Sequence, residues 1–304
     1  MKLINSEFRI ETTNFCNAKC ITCPRDQMTR QKVTMSYNHF CNIVVQAYEL
    51  GATDISPFGY GEPLMDSGIA EKIAFCTRMG LKTFITTNAA LLRPEVAKDL
   101  VEAGITHLRL SAHGTFENYE KSHGLDWYDF MRNAFNFIKL SRGKVKVDVV
   151  VIPMHGESVD DILEFWSGRV DDIEVWKPHG WGGKKQYRKS KEKRPTCGRP
   201  QRGPVQVQAD GTVIPCCFLT DSEIILGDTY KSSVEDILKG EKYQELRRKH
   251  AGGNLDGLPC KYCDQLLILD ESPLLYSSIG KDINTTSSTK FNLLEEKRNG
   301  FNIN

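Results

Sequence analysis

From Phe8 to about Lys177 the chain alternates between two patterns. One is a short run rich in Val, Ile and Thr; the other is a longer stretch with helical spacing. FRIETTN (8–14), TDISPFG (53–59), LKTFITTN (81–88), ITHLRLSA (105–112), KVKVDVVVI (144–152) and DDIEVWK (171–177) read as strands. Residues 36–50, 67–79, 94–103, 126–141 and 158–167 read as the helices between them. Helices interposed between short strands imply parallel strands with right-handed crossovers. Six such units fall short of the eight that close a barrel. The expected fold is therefore α/β, a partial (β/α)6 TIM barrel left open.

With 304 residues, 40% of them hydrophobic, the chain can build this core and an appendage besides. A net charge of +1 argues against a dedicated nucleic-acid binder. No apolar run approaches the roughly 20 residues that span a bilayer. The opening MKLINSEFRIETTN lacks the apolar stretch of a secretory signal, so a cytoplasmic address is expected. The ten cysteines are the outlier. A reducing cytosol keeps thiols free, so cysteine in this number and clustering points to metal. Cys16, Cys20 and Cys23 form one group, and Cys197, Cys216, Cys217, Cys260 and Cys263 another. Cys41 and Cys76 lie on helices among apolar neighbours and read as core.

Beyond the barrel half (1–181), GGKKQYRKSKEKR (182–194) is dense in basic residues and reads as a solvated linker, or else as a docking patch for an acidic electron donor. Residues 195–271 read as a small α+β unit. It would hold a hairpin around Asp210-Gly211 and one amphipathic helix over 233–250. From 272 to 304 the chain is polar and is expected to be a poorly ordered tail.

Cys16-x-x-x-Cys20-x-x-Cys23 follows the first strand. Three thiolates so close together can wrap one face of a compact metal centre. Structural zinc normally takes four protein ligands, and no fourth Cys or His lies nearby. A [4Fe–4S] cube held by three thiolates keeps one iron open, and the spacing favours this reading over zinc or unliganded thiols. Gly59-Tyr60-Gly61-Glu62-Pro63 follows the second strand, where an ordinary turn would also want glycine. Asn88 ends the third strand and Ser111 the fourth, positions that face the active site of a barrel. They serve equally as caps of the next helix. His113 is either a base near neutral pH or a loop histidine with a local hydrogen bond. His179 and Trp181, after the sixth strand, lie where a loop would cover substrate.

Through Cys16, Cys20 and Cys23 the chain resembles the radical S-adenosylmethionine (SAM) superfamily. The resemblance implies that the open iron chelates S-adenosylmethionine. One electron then cleaves the sulfonium bond, and the 5′-deoxyadenosyl radical takes a hydrogen atom from substrate. Tyr60, Gly61, Glu62 and Pro63 resemble the superfamily's Gly-Gly-Glu-Pro segment, with Tyr60 in the first glycine's place. Together with Asn88 and Ser111 they would seat the cofactor, and His113 would act at the substrate. Thr22 departs from the aromatic residue usual before the third cysteine.

The second cysteine group can bring four thiolates together, which suits zinc or an iron–sulfur cluster equally by count. The order GTVIPCC, LGD, SVEDIL, CKYC resembles the SPASM and twitch auxiliary-cluster domains. That resemblance implies a second [4Fe–4S] cluster held by Cys197, Cys216, Cys260 and Cys263, with Cys216 rather than Cys217 because it follows Pro215. It also implies a flavodoxin- or ferredoxin-type electron donor and a small-molecule or peptide substrate. Oxidation of a small metabolite is the favoured expectation. Maturation of a ribosomal peptide, or a non-catalytic metal-binding or electron-carrier role, are the alternatives.

Overall fold

The computed structural model describes residues 3–270 and 272–278. Each expected strand is present, trimmed at its ends: β1 (Glu7–Ile10), β2 (Asp54–Ser56), β3 (Lys82–Thr87), β4 (His107–Ser111), β5 (Lys146–Val151) and β6 (Asp172–Trp176). Neighbours pair in parallel in sequence order from β1 to β6. The crossovers carry α1 (Tyr37–Glu49), α2 (Ile69–Arg78), α3 (Pro94–Glu102), the pair α4 (Glu117–His123) and α5 (Trp127–Ser141), and α6 (Val159–Trp166). Local chemistry sets the helix starts. Ser36 accepts a hydrogen bond from His39 N, Asp126 from Asp129 N and Ser158 from Asp161 N, each satisfying an amide that the helix itself cannot. Phe40, Ile43, Val44 and Ala47 then form the buried stripe of α1.

The second half contains α7 (Arg199–Arg202), β7 (Val205–Val207), β8 (Thr212–Ile214), β9 (Gly227–Asp228), α8 (Val234–Lys239), α9 (Glu241–Ala251) and β10 (Leu274–Ser277). β7 and β8 form the expected hairpin. β7 also pairs in parallel with β1, so one ten-stranded sheet runs β10-β6-β5-β4-β3-β2-β1-β7-β8-β9. Among the described residues no pairing closes the sheet into a barrel, so it stays open. A core cluster joins Phe8, Ile10 and Ile55 of the first half to Val205, Val207 and Leu246 of the second.

Three expectations need correction. The single helix over 233–250 is two, because Gly240 adopts an extended backbone between them. The tail does not begin at 272: β10 pairs antiparallel with β6. The rest of that tail, 279–304, lies outside the described residues. The basic run, exposed at Lys189, Lys191 and Lys193, is more than a solvated linker. Arg194 N donates to Leu266 O at 2.7 Å and Ile268 N to Glu192 O at 3.0 Å. Arg188, 5% exposed, approaches Asp264 at 3.7 Å.

Candidate functional site

The loop after β1 carries Cys16, Cys20 and Cys23, all partly buried. Cys23 N donates to Cys20 O at 3.1 Å, and Pro24 starts a helical turn that ends the loop. The end of α4 clamps it from the side: Lys19 N donates to His123 O at 2.9 Å and Ile21 N to Ser122 O at 3.0 Å. The His123 ring lies with Nδ1 3.3 Å from the Cys20 sulfur. Burial pushes all three thiols up, Cys20 to about 12. Such thiols stay protonated at neutral pH unless a bound cationic centre displaces the proton.

The turn after β2 packs directly on this loop. A Cβ on Gly61 would stand 2.1 Å from Thr13 O, so only glycine fits there. Glu62 N donates to Phe15 O at 2.8 Å. The buried Glu62 carboxylate accepts from Thr87 Oγ1 at 2.6 Å, Asn88 N at 2.8 Å and Leu64 N at 3.1 Å. Burial raises its pKa to about 7, against those three donors. Pro63 opens the turn Pro63–Met65, which Glu62 caps. Asn88 Nδ2 reaches back to Asn17 Oδ1, between the first two cysteines, at 2.9 Å. Ser111 Oγ lies 3.3 Å from His113 Nε2. His113 Nδ1 is buried without a hydrogen-bond partner among the described residues, and burial lowers this imidazole to about 4. The structure thus gathers Cys16, Cys20, Cys23, Glu62, Asn88, Ser111 and His113 at the C-terminal strand ends. Tyr60 is turned away: its hydroxyl donates to Cys217 O.

Cys197, Cys216, Cys260 and Cys263 all line one cavity, whose wall also includes Phe218, Leu219 and Leu266 and the polar side chains of Arg199, His250 and Gln265. Burial raises Cys260 to about 11 and Cys263 to about 12. Among the described residues, no group of three or more His, Cys, Asp or Glu is drawn tightly enough to hold a single ion. Four thiols around one cavity are a donor set that fits an iron–sulfur cluster. Cys217 lines a different cavity of about 250 Å³, shared with Cys23, Tyr60, Trp181 and Gln208. Arg199 Nη1 lies 3.4 Å from the Cys217 sulfur. Arg9, Phe58 and Trp181 also line the lumen of the open barrel, a cavity of about 600 Å³. Its wall is polar: Arg109 Nε bonds Asp148 at 2.6 Å and Arg109 Nη1 meets Glu174 at 3.2 Å, while Arg9 pairs with Glu7 at 2.8 Å.

Residues 10–165 match the radical SAM superfamily, and residues 197–264 match an iron–sulfur cluster-binding domain, SPASM. The chain belongs to the radical SAM superfamily. Membership brings S-adenosylmethionine and a [4Fe–4S] cluster, and the SPASM region brings auxiliary iron–sulfur chemistry. The chain is 33% identical over 175 residues to GTP 3′,8-cyclase of Thermodesulfovibrio yellowstonii, covering 54% of this chain and 52% of that protein. It is 29% identical over 103 residues to PqqA peptide cyclase of Streptomyces rochei, covering 34% and 28%. The chain therefore spans about half the length, or less, of these curated relatives. In fold it is similar to BtrN in complex with AdoMet and 2-DOIA, with a TM-score of 0.61 at 20% identity over 87% of this chain and 94% of that one. It is also similar to Streptococcus suis SuiB bound to the precursor peptide SuiA, with a TM-score of 0.66 at 16% identity over 80% and 66%. Among the described residues no helix is long and apolar enough to cross a membrane.

Sequence reasoning missed two residues of this radical SAM site, Glu11 and His123, and one contact, that of Trp181. Glu11, buried, pairs with Arg30 at 2.9 Å and accepts from Tyr60 N at 2.8 Å and Ala209 N at 3.0 Å, so it ties the turn after β2 to the β7–β8 hairpin. Trp181 Nε1 donates to Thr22 O at 2.6 Å; its loop was noted, but not this bond to the cysteine loop. His123 falls between the expected strand at 105–112 and the expected helix at 126–141, in the segment that forms α4. For Glu11, the only available signal was an acidic residue inside a strand pattern.

Proposed function

We propose that the chain reductively cleaves S-adenosylmethionine and removes a hydrogen atom from a polar organic substrate held in the barrel lumen, oxidising it. One observation carries this reading. The cavity lined by Cys23 at one cysteine set and Cys217 beside the other joins, through Arg9 and Phe58, the polar lumen. A substrate there lies between the two cysteine sets. When bound, the first cluster and S-adenosylmethionine supply a hydrogen-abstracting radical, and the auxiliary cluster supplies an acceptor for the second electron of an oxidation.

The chain's own residues divide the remaining work. Cys16, Cys20 and Cys23 hold the first cluster; Cys197, Cys216, Cys260 and Cys263 hold the second. A carboxylate has about four acceptor positions, and Glu62 fills three from protein donors. The free one receives the ammonium of the cofactor. Asn88 and Ser111 face its ribose, and the Tyr60–Pro63 backbone lines its path. His113, neutral and with a free Nδ1, takes the proton that leaves the substrate. The paired charges of the lumen favour a hydroxylated or aminated small molecule. Peptide modification is a second reading, supported by the likeness to PqqA peptide cyclase. The exposed Lys189, Lys191 and Lys193 suit an acidic donor of the flavodoxin or ferredoxin type.

Anaerobic reconstitution tests this reading. About eight irons per chain and release of 5′-deoxyadenosine under strong reductant are expected. About four irons, or zinc without cofactor cleavage, would overturn it.

A further inference from the structure

His123 donates one hydrogen bond and accepts another, and the two together fix its proton. Its Nε2 lies 2.9 Å from the backbone nitrogen of His113, a group that only donates. Nε2 is therefore the bare acceptor, and the ring proton sits on Nδ1. That nitrogen faces the Cys20 sulfur at 3.3 Å. The ring is 1% exposed and held flat between Tyr119, centroids 4.4 Å apart, and His113, 4.9 Å apart. The two backbone bonds from Lys19 and Ile21 to the end of α4 fix its distance from the cysteine loop.

We propose that His123 is a positioning residue for the first cluster: its Nδ1–H donates to the Cys20 sulfur and raises the reduction potential of the cluster that this sulfur holds. The proposal rests on the reading that Cys16, Cys20 and Cys23 hold the cluster. Reduction adds negative charge that spreads onto the ligating sulfurs. A fixed N–H dipole aimed at one sulfur stabilises the reduced form more than the oxidised form. Because the ring is shielded from water, no solvent dipole replaces it when it is removed. The same ring couples the cluster loop to the end of β4, where Ser111 and His113 stand.

The test is a redox titration of the reconstituted full chain, followed by electron paramagnetic resonance. The first cluster is identified as the signal that changes when S-adenosylmethionine is added. His123→Gln places an amide near Nε2 and loses the donor to sulfur. His123→Asn places an amide nitrogen near Nδ1 and keeps it. His123→Phe keeps only the stacked ring. Gln and Phe should lower the one-electron reduction equilibrium about tenfold, about 59 mV, at unchanged iron content. Asn should stay within about twofold of the parent. Unchanged potentials in Gln and Phe, or an Asn variant shifted as far as Phe, would overturn the proposal. If Phe fails to load iron, the Asn and Gln pair decides. A parent protein with no signal that responds to S-adenosylmethionine overturns the reading of the site itself, and this proposal with it.

Discussion

The two cysteine sets are built by opposite means. Cys16, Cys20 and Cys23 come from one loop, clamped by hydrogen bonds to the end of α4 and from the turn after β2, and surrounded by polar groups, one of which, His113 Nδ1, lacks a partner among the described residues. Cys197, Cys216, Cys260 and Cys263 come from separate segments and meet around one cavity, whose wall mixes apolar side chains with Arg199, His250 and Gln265. Three local donors with polar company leave room for a ligand to react. Four thiolate donors occupy every iron of a [4Fe–4S] cluster and leave none open, which suits electron relay or stapling. On the proposed function, bond-breaking chemistry belongs to the first set and electron relay to the second.

The hardest way to break that contrast is to delete one side of it. Replacing Cys16, Cys20 and Cys23 together with Ala should abolish cleavage of S-adenosylmethionine while about half the iron remains, measured by product chromatography and iron analysis. Persistent cleavage would move the chemistry to the other set. Next comes the choice between adjacent cysteines. Cys216 lines the cavity of the four, whereas Cys217 lines the cavity shared with Cys23. Cys216→Ser should shed about four irons; Cys217→Ser should shed none.

These two sets were not equally legible in the sequence. The first could be read from residues alone, because all its ligands fall in one loop behind a recognisable strand. The second needed a family likeness, since spacing alone does not show that a hairpin, a short helix and a late turn converge. The six barrel strands were legible for the same local reason: runs such as Lys146–Val151 are rich in Val. The pairing of β7 with β1, which extends the barrel sheet into the second half, left no local trace. Nor did the docking of Arg188 beside Asp264. The break at Gly240 did carry a signal, a glycine in mid-helix, which the amphipathic pattern on either side concealed. His123 was hidden because α4 is short and ends at Gly124 in the left-handed conformation, so its segment resembles a turn.

A glycine beside each set gives a smaller contrast. At Gly61 an added Cβ meets backbone oxygen at 2.1 Å; at Gly198, next to Cys197, the nearest atom is 4.0 Å away and only the positive φ of 74° resists a side chain. Gly61→Ala should cost about 3 kcal/mol in denaturant unfolding, and Gly198→Ala about 1 kcal/mol. Equal costs would mean that the turn after β2 yields freely, and that the tight seating of the first loop is not needed.

The smallest effect follows from Glu62. Burial raises its pKa to about 7, so without cofactor the carboxyl keeps its proton below that pH. The sign is opposite to that of an ion-paired carboxylate. The unliganded fold gives up stability as pH rises from the ordinary carboxylate range through 7, because it must then hold a buried charge. A bound ammonium needs that charge, so binding expels the proton. Affinity for S-adenosylmethionine should therefore be about tenfold weaker at pH 6 than at pH 8, and level off above. Glu62→Gln should flatten this profile, as equilibrium binding can show. The signal of the second cluster, held away from Glu62 in a separate cavity, should not follow it. A flat profile in the parent would detach Glu62 from the cofactor and leave it a cap for the turn at Pro63. A second-cluster signal that moved in step would erase the division between a reacting set and a sealed one.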